Sequence, residues 1–143
     1  MQVKIKKLHP DAITPTYGTD GAACFDLHAT YSEFVSDNYP YATIDTGLCF
    51  EVPKDHVMLV FSRSGHGFNH GVRLANCVGV IDSDYRGEVK VKLTADREGN
   101  LSINKGDRIA QAMILPVKQV QFVEVDELGV TERGVNGFGS TGE

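Results

Sequence analysis

The chain has no tryptophan, three cysteines and five prolines, and its 19 acidic side chains outnumber its 14 lysines and arginines. Its longest apolar runs, around Val57–Phe61 and Ala112–Val117, fall far short of the roughly 20 residues that cross a bilayer. The N-terminal Met-Gln-Val-Lys-Ile-Lys-Lys alternates polar with apolar residues and does not form the apolar centre of a secretion signal. No membrane role is expected, and the expected location is the cytoplasm, or a host's cytoplasm for a viral source. Cys24, Cys49 and Cys77 lie far apart with no C-x-x-C pair. That spacing argues against a disulfide framework or a cysteine zinc site and for small buried thiols in a reducing compartment. A net charge of −5 repels nucleic-acid polymers, so any phosphate ligand has to be held by local cations and a divalent metal.

What remains is a sequence for one soluble domain: 143 residues can bury a sizeable core, and neither repeat nor linker divides them. Apolar residues fall at every second position in Val3/Ile5, Ala23/Phe25/Leu27/Ala29, Val89/Val91/Leu93 and Val120/Phe122, which predicts strands with one buried face. Met58–Phe61 and Ile109–Leu115 are more continuous and predict strands buried on both faces. Turn signals separate them at Tyr17-Gly-Thr-Asp-Gly, Arg63-Ser-Gly, Tyr85-Arg-Gly, Glu98-Gly-Asn and Lys105-Gly-Asp. Ser64–Ala75 holds at most one short helical turn. The fold class is all-β, a jelly-roll-like sandwich of many short strands.

The chemistry concentrates in Gly79-Val-Ile-Asp-Ser-Asp-Tyr-Arg-Gly87, where an apolar strand runs into two acids, a tyrosine and a cation. A carboxylate such as Asp82 can take a proton from water, Tyr85 offers a flat face to a sugar or base, and Arg86 can neutralise an anion. The competing reading is a solvated turn with Arg86 paired to Asp84. The C-terminal Arg133-Gly-Val-Asn-Gly-Phe-Gly-Ser-Thr-Gly142 has too few apolar side chains to fold alone, yet it is dense in amides, hydroxyls and a guanidinium. Its alternatives are a concave anion site, with Arg133 gripping phosphate oxygens and Phe138 stacking on a base, or a frayed tail.

Other loops add polar groups. Alternation sets Asp26 beside Cys24 and His28, opposite Phe25 and Leu27, where a carboxylate is either a structural acceptor or the holder of a metal's water. Arg63, Ser64 and Gly65 leave a strand end where they can cradle phosphate, or form a plain turn. Gln111 falls among apolar residues and needs a partner, while Asp107 and Arg108 are expected to pair with each other. His66 and His70 have the spacing of two metal ligands on a helix, but the glycines around them weaken a helix and no further ligand is evident.

Taken in order, Ala22–Ala29, Arg63–Gly65, Asn76–Gly87, Gly106–Gln111 and Arg133–Gly142 resemble the trimeric, all-β deoxyuridine triphosphatase (dUTPase) family, with motifs spanning nearly the whole chain. The resemblance implies hydrolysis of dUTP to dUMP and pyrophosphate with Mg²⁺, limiting uracil incorporation into DNA. It assigns Asp82 as the base that activates water. Tyr85 would lie beneath the deoxyribose, and Asn76 with the backbone of a hairpin from Gly79 through Val80 and Ile81 to Lys90 would read uracil. Arg63, Ser64, Gly65 and Gln111 would bind phosphates, and Asp26 would orient metal-bound water. Residues 1–132 would form the sandwich and 133–143 a lid closing over a neighbouring subunit's site, with Arg133, Phe138, Gly139, Ser140 and Thr141 on the substrate. The implied assembly is a homotrimer with shared sites that binds no nucleic-acid polymer. Ser62, His66 and Lys90 depart from the family's usual residues, which implies a looser phosphate loop at the first two. Two further classes fit the same motifs: a non-catalytic nucleotide-binding regulatory trimer, and a dCTP deaminase-like enzyme, which would want a glutamate where Lys92 stands.

Overall fold

A computed structural model describes residues 1–96 and 98–137. Ten strands and one short helix follow one another: β1 Lys4–Lys7, β2 Phe25–His28, β3 Glu33–Ser36, β4 Tyr41–Glu51, β5 His56–Phe61, α1 Ser64–His70, β6 Val72–Leu74, β7 Val78–Ile81, β8 Glu88–Ala95, β9 Asn100–Ile103 and β10 Arg108–Pro116. They make two four-stranded sheets, ordered β1-β4-β8-β6 and β2-β10-β5-β7, with β3 and β9 forming a small third sheet. This is the jelly-roll-like sandwich that the alternation predicts. Leu27, Ile44, Leu48, Met58, Leu74, Leu93 and Ile109 are fully buried between the layers. Truncating one of them, as in Leu27→Ala, removes apolar contact and leaves a cavity, costing about 2–5 kcal/mol.

Several local expectations need correction. β5 and β10 bury one face fully and leave the other half-buried, because each sheet faces the core on one side only. No strand forms at Val120 or Phe122. Beyond Pro116 the described chain has neither strand nor helix, and Phe122 is 92% exposed, because no strand of the same protomer pairs with it. The segment from Gly79 to Lys90 is not a paired hairpin: β7 pairs with β5 and β8 with β4 and β6, so the turn between them crosses from one sheet to the other. Of the three thiols only Cys49 is buried; Cys24 is half-buried, and Cys77 is exposed on a left-handed turn residue with φ 62°. None forms a disulfide. Among the described residues no helix is long and apolar enough to cross a membrane.

Candidate functional site

The sheet-to-sheet crossing after β7 opens a cleft at the sandwich edge. Its inner part, about 490 Å³, is lined by Asn76, Gly79, Val80, Ile81, Val89 and Lys90 among others. An adjoining part of about 360 Å³ runs on past Asp82, Tyr85 and Glu88. At Gly79 the base of this cleft is tight, since a Cβ there would sit 3.1 Å from the Cβ of Val60 on the neighbouring strand. Asp82 begins a turn closed by the Tyr85 amide donating to the Asp82 carbonyl at 3.2 Å. The Tyr85 hydroxyl donates to the Glu88 carbonyl at 3.1 Å, which fixes the ring over the mouth of the turn. Arg86 does not pair with Asp84; its guanidinium donates to the Ser83 and Tyr85 carbonyls at 2.7 and 3.0 Å and ties the turn from below. Asp82 itself is exposed and takes part in none of the ion pairs found among the described residues. An unpaired carboxylate beside an aromatic face and a cleft of backbone groups can accept a proton from water while a flat, uncharged ring is held nearby.

Lys90 lines both parts of the cleft, but its ammonium is committed elsewhere. It bridges Asp45 at 2.8 Å and Glu88 at 3.3 Å, and these partners, Asp45 first, hold its proton more tightly than usual. Glu88 in turn accepts the Gly47 amide at 2.8 Å. The Lys90 side chain therefore braces β8 against β4 and leaves its backbone to the cleft.

A second cluster lies across the β2-β10-β5-β7 sheet, at the opposite end of β7 from Asp82. Asp26, Gln111, Phe61 and Val78 stand side by side in one row of β2, β10, β5 and β7. Arg63 follows just past Phe61, with Nε 3.5 Å from Asp26 and Nη1 donating to the Arg108 carbonyl at 3.3 Å. Arg108 pairs with Asp26 at 3.3 Å, and Asp107 instead accepts from Asn104, so the expected Asp107–Arg108 pair is replaced by a bridge between strands. Gln111 finds its partner in the Ser62 carbonyl at 3.0 Å. Ser62 does not slacken the loop: its hydroxyl accepts the Leu74 amide at 2.9 Å and ties the end of β5 to β6. His66 approaches Arg63 at 3.5 Å, and burial first, then the Arg63 charge, lowers its proton affinity. His28 is shifted the same way, chiefly by burial against an opposing pull from Asp26. The helix carrying His66 and His70 does form, but among the described residues no three His, Cys, Asp or Glu side chains converge as metal ligands. Asp26 is faced by two guanidiniums, Arg63 and Arg108, and among the described residues is not part of a ligand cluster that would hold a cation directly.

The two clusters do not meet within one protomer. β5 and β7 run antiparallel with Phe61 opposite Val78 and Met58 opposite Ile81. Arg63 lies beyond the first rung and Asp82 beyond the second, and those rungs are three residues, or about 10 Å, apart before the overhangs are added. Arg133 joins neither cluster, its Nε donating to the Asn136 carbonyl at 2.9 Å within an exposed turn. Phe138, Gly139, Ser140 and Thr141 lie outside the described residues. Arg108, Tyr85's anchoring to Glu88 and the Ser62 tether were not foreseen as parts of these clusters; the signal for Ser62 was only its hydroxyl at a strand end.

Comparison with known proteins gives a consistent result. The dUTPase family model matches residues 11–142. The chain is 46% identical over 143 residues to the deoxyuridine 5'-triphosphate nucleotidohydrolase of Nautilia profundicola, covering all of both chains. It is 39% identical over 142 residues to the enzyme of that name from Helicobacter pylori, covering 99% of this chain and 97% of that one. Its structure is similar to the Staphylococcus bacteriophage 80alpha dUTPase solved with dUPNHPP, with a TM-score of 0.90 and 26% identity over 99% of each chain.

Proposed function

The chain belongs to the dUTPase family, and on that premise we propose that it is a dUTP diphosphatase whose active site is shared between copies of the chain. The observation that carries the shared site is the separation of the two clusters. The α-phosphorus has to lie beside the water held by Asp82, and the next two phosphates follow directly. They cannot reach back along β5 and β7 to the Arg63 of the same protomer. A nucleoside cleft from one copy facing an Arg63 cluster from another meets the requirement, and a closed ring of three copies repeats that contact without leaving an open end. The bared arm beyond Pro116, with Val120, Phe122, Val125 and Leu128 exposed, supports a partner surface of the same kind. It would carry residues 133–143 to a neighbouring site, where Arg133, Phe138, Gly139, Ser140 and Thr141 close over the substrate.

In this reading uracil enters the cleft between β7 and β8, where Asn76 and the backbone of Gly79, Val80, Ile81 and Lys90 read its edge and exclude a methyl group by clash. Tyr85 packs against the deoxyribose and leaves no room for a 2′-hydroxyl. Asp82 accepts a proton from water as the oxygen attacks the α-phosphorus in line, and the bond to the bridging oxygen breaks to release pyrophosphate and leave dUMP. Arg63, Ser64, Gly65 and Gln111 hold the phosphates as charge moves onto the leaving group. Mg²⁺ bound to the triphosphate would neutralise part of its charge, with Asp26 orienting one of its waters.

The direct test is pyrophosphate release from dUTP, dTTP, UTP and dCTP at equal concentrations. Turnover of dUTP far above the other three is expected; comparable specificity constants for dUTP and dCTP would contradict the uracil cleft. Light scattering should give three times the chain mass. A chain ending at residue 132 should keep the oligomer and melting temperature while losing turnover.

A further inference from the structure

Helix α1 carries Ser64 and Gly65 in its first turn, yet none of its residues is fully buried: His66 is half-buried and Phe68 is 91% exposed. Two of its seven residues are glycine, and no side chain caps its first turn. A helix this short and poor in formers is not stable by propensity, and with no buried face it is not held by core packing either. Apart from half-buried His66 beside Arg63, its anchors lie at its two ends. At the first end, Arg63 is tied to Asp26 and to the Arg108 carbonyl.

At the other end the helix stops on Gly71, in the left-handed conformation at φ 60°, directly against Gly99 of the β8–β9 turn. Backbone meets backbone there. A Cβ on Gly99 would lie 2.5 Å from the Gly71 carbonyl oxygen, 2.9 Å from that of Asp96 and 3.0 Å from that of His70. A Cβ on Gly71 would lie 3.1 Å from the Gly99 Cα. The Asp96 amide donates to the Gly71 carbonyl at 2.7 Å, and the Gly99 carbonyl accepts the Asp37 amide at 3.1 Å, which anchors the turn to the segment after β3. We propose that Gly99 and Gly71 are positioning residues for phosphate binding: the β8–β9 turn is a stop against which α1 ends, and this contact sets where Arg63, Ser64 and Gly65 stand. The proposal rests on reading those three residues as the phosphate loop. It extends the functional unit to a turn on the far side of the helix that touches no ligand.

The test uses the intact oligomer and three variants. Gly99→Ala forces the turn and the helix end apart. Because α1 has no fully buried residue, the melting temperature should change little, while kcat/KM for dUTP falls roughly tenfold to a hundredfold, as a misplacement near 1 Å can cause. The loss should appear mainly in KM, and inhibition by dUMP, which occupies the β7–β8 cleft, should stay at the parent level. Gly71→Asn tolerates the left-handed backbone and needs a shift of only tenths of an ångström, so it should show the same pattern more weakly. If Gly99→Ala does not fold, Gly71→Asn decides alone. Parent kcat/KM in the folded variants, or an equal loss of dUMP affinity, overturns the proposal. Arg63→Ala separates the two levels: if it raises KM for dUTP while the glycine variants do not, the stop is wrong and the phosphate loop stands, and if it too has no effect both fall.

Discussion

The nucleoside cleft and the Arg63 cluster are built in opposite ways. The cleft is framed by two strands whose inward side chains, such as Val89, belong to the core, and its chemistry rests on one exposed carboxylate with no ionic partner among those found. The Arg63 cluster hangs on a helix with no fully buried residue and is held by three charged side chains and backbone contacts at the helix ends. One half has core-packed walls and an unpaired carboxylate; the other has paired charges on a short, largely exposed helix. A carboxylate meant to take a proton is better without a cation beside it, whereas guanidiniums awaiting phosphate need an anion to order them beforehand. The two stand at opposite ends of one protomer, so Arg63 does not pair with Asp82 there.

The sharpest break in this comparison is Asp82→Asn. The change keeps side-chain shape at an exposed position, so fold and dUTP affinity should survive, while turnover falls roughly 10²- to 10⁴-fold with loss of the base. Turnover within a few-fold of the parent would move the base elsewhere, with Asp84 the next acid in the turn.

Mixing subunits tests the separation itself. Asp82→Asn and Arg63→Ala chains are each expected to be poor enzymes alone, but a co-assembled mixture contains sites that take Asp82 from one copy and Arg63 from another. Random pairing at equal amounts makes roughly one site in four intact, and activity should recover toward that fraction. No recovery after verified subunit exchange would place both halves in one protomer. A smaller effect sharpens the ionic half: Asp26→Asn leaves Arg63 and Arg108 without their shared carboxylate and should raise KM for dUTP several-fold, since an interaction of about 1–2 kcal/mol orders the guanidinium. Inhibition by dUMP should not change.

How far the sequence disclosed this arrangement follows from which interactions are local. Alternation in Phe25–His28 and Glu88–Ala95 named their buried faces, because period two survives wherever one face meets the core. Asp82 and Tyr85 stand out locally because they follow the apolar run of β7 into its turn, whereas Asn76 is marked only by the family resemblance. What could not be read was pairing between distant segments. Arg108 beside Asp107 looks like a local ion pair, yet β10 lies against β2 and delivers it to Asp26, 82 residues away. Gly79–Lys90 looks like a hairpin because its two runs are close in sequence, and only the sheet order reveals that they part to opposite layers. Val120 and Phe122 carry a strand's alternation without a strand, because alternation alone supplies no neighbouring strand to pair with.

The smallest effect concerns protonation at the ionic half. His66 is held below its ordinary value of 6.5 by burial and by Arg63, with Arg108 and His70 acting in the same direction and Asp107 opposing. The unfolded chain therefore binds a proton at this residue before the folded one does. As pH falls below 6.5 the unfolded state gains protons that the native state refuses, so stability is full above that value and declines below it. His28, shifted likewise, adds to the slope. Both rings are partly open to solvent, so the decline should be modest. Melting curves from pH 7.5 to pH 5 should show a downward trend in the parent that is shallower in His66→Gln, which keeps a polar side chain without the titration. Parallel slopes would mean that His66 charges freely in the folded protein, and that the nearby guanidiniums are screened by solvent more than the 3.5 Å approach to Arg63 implies.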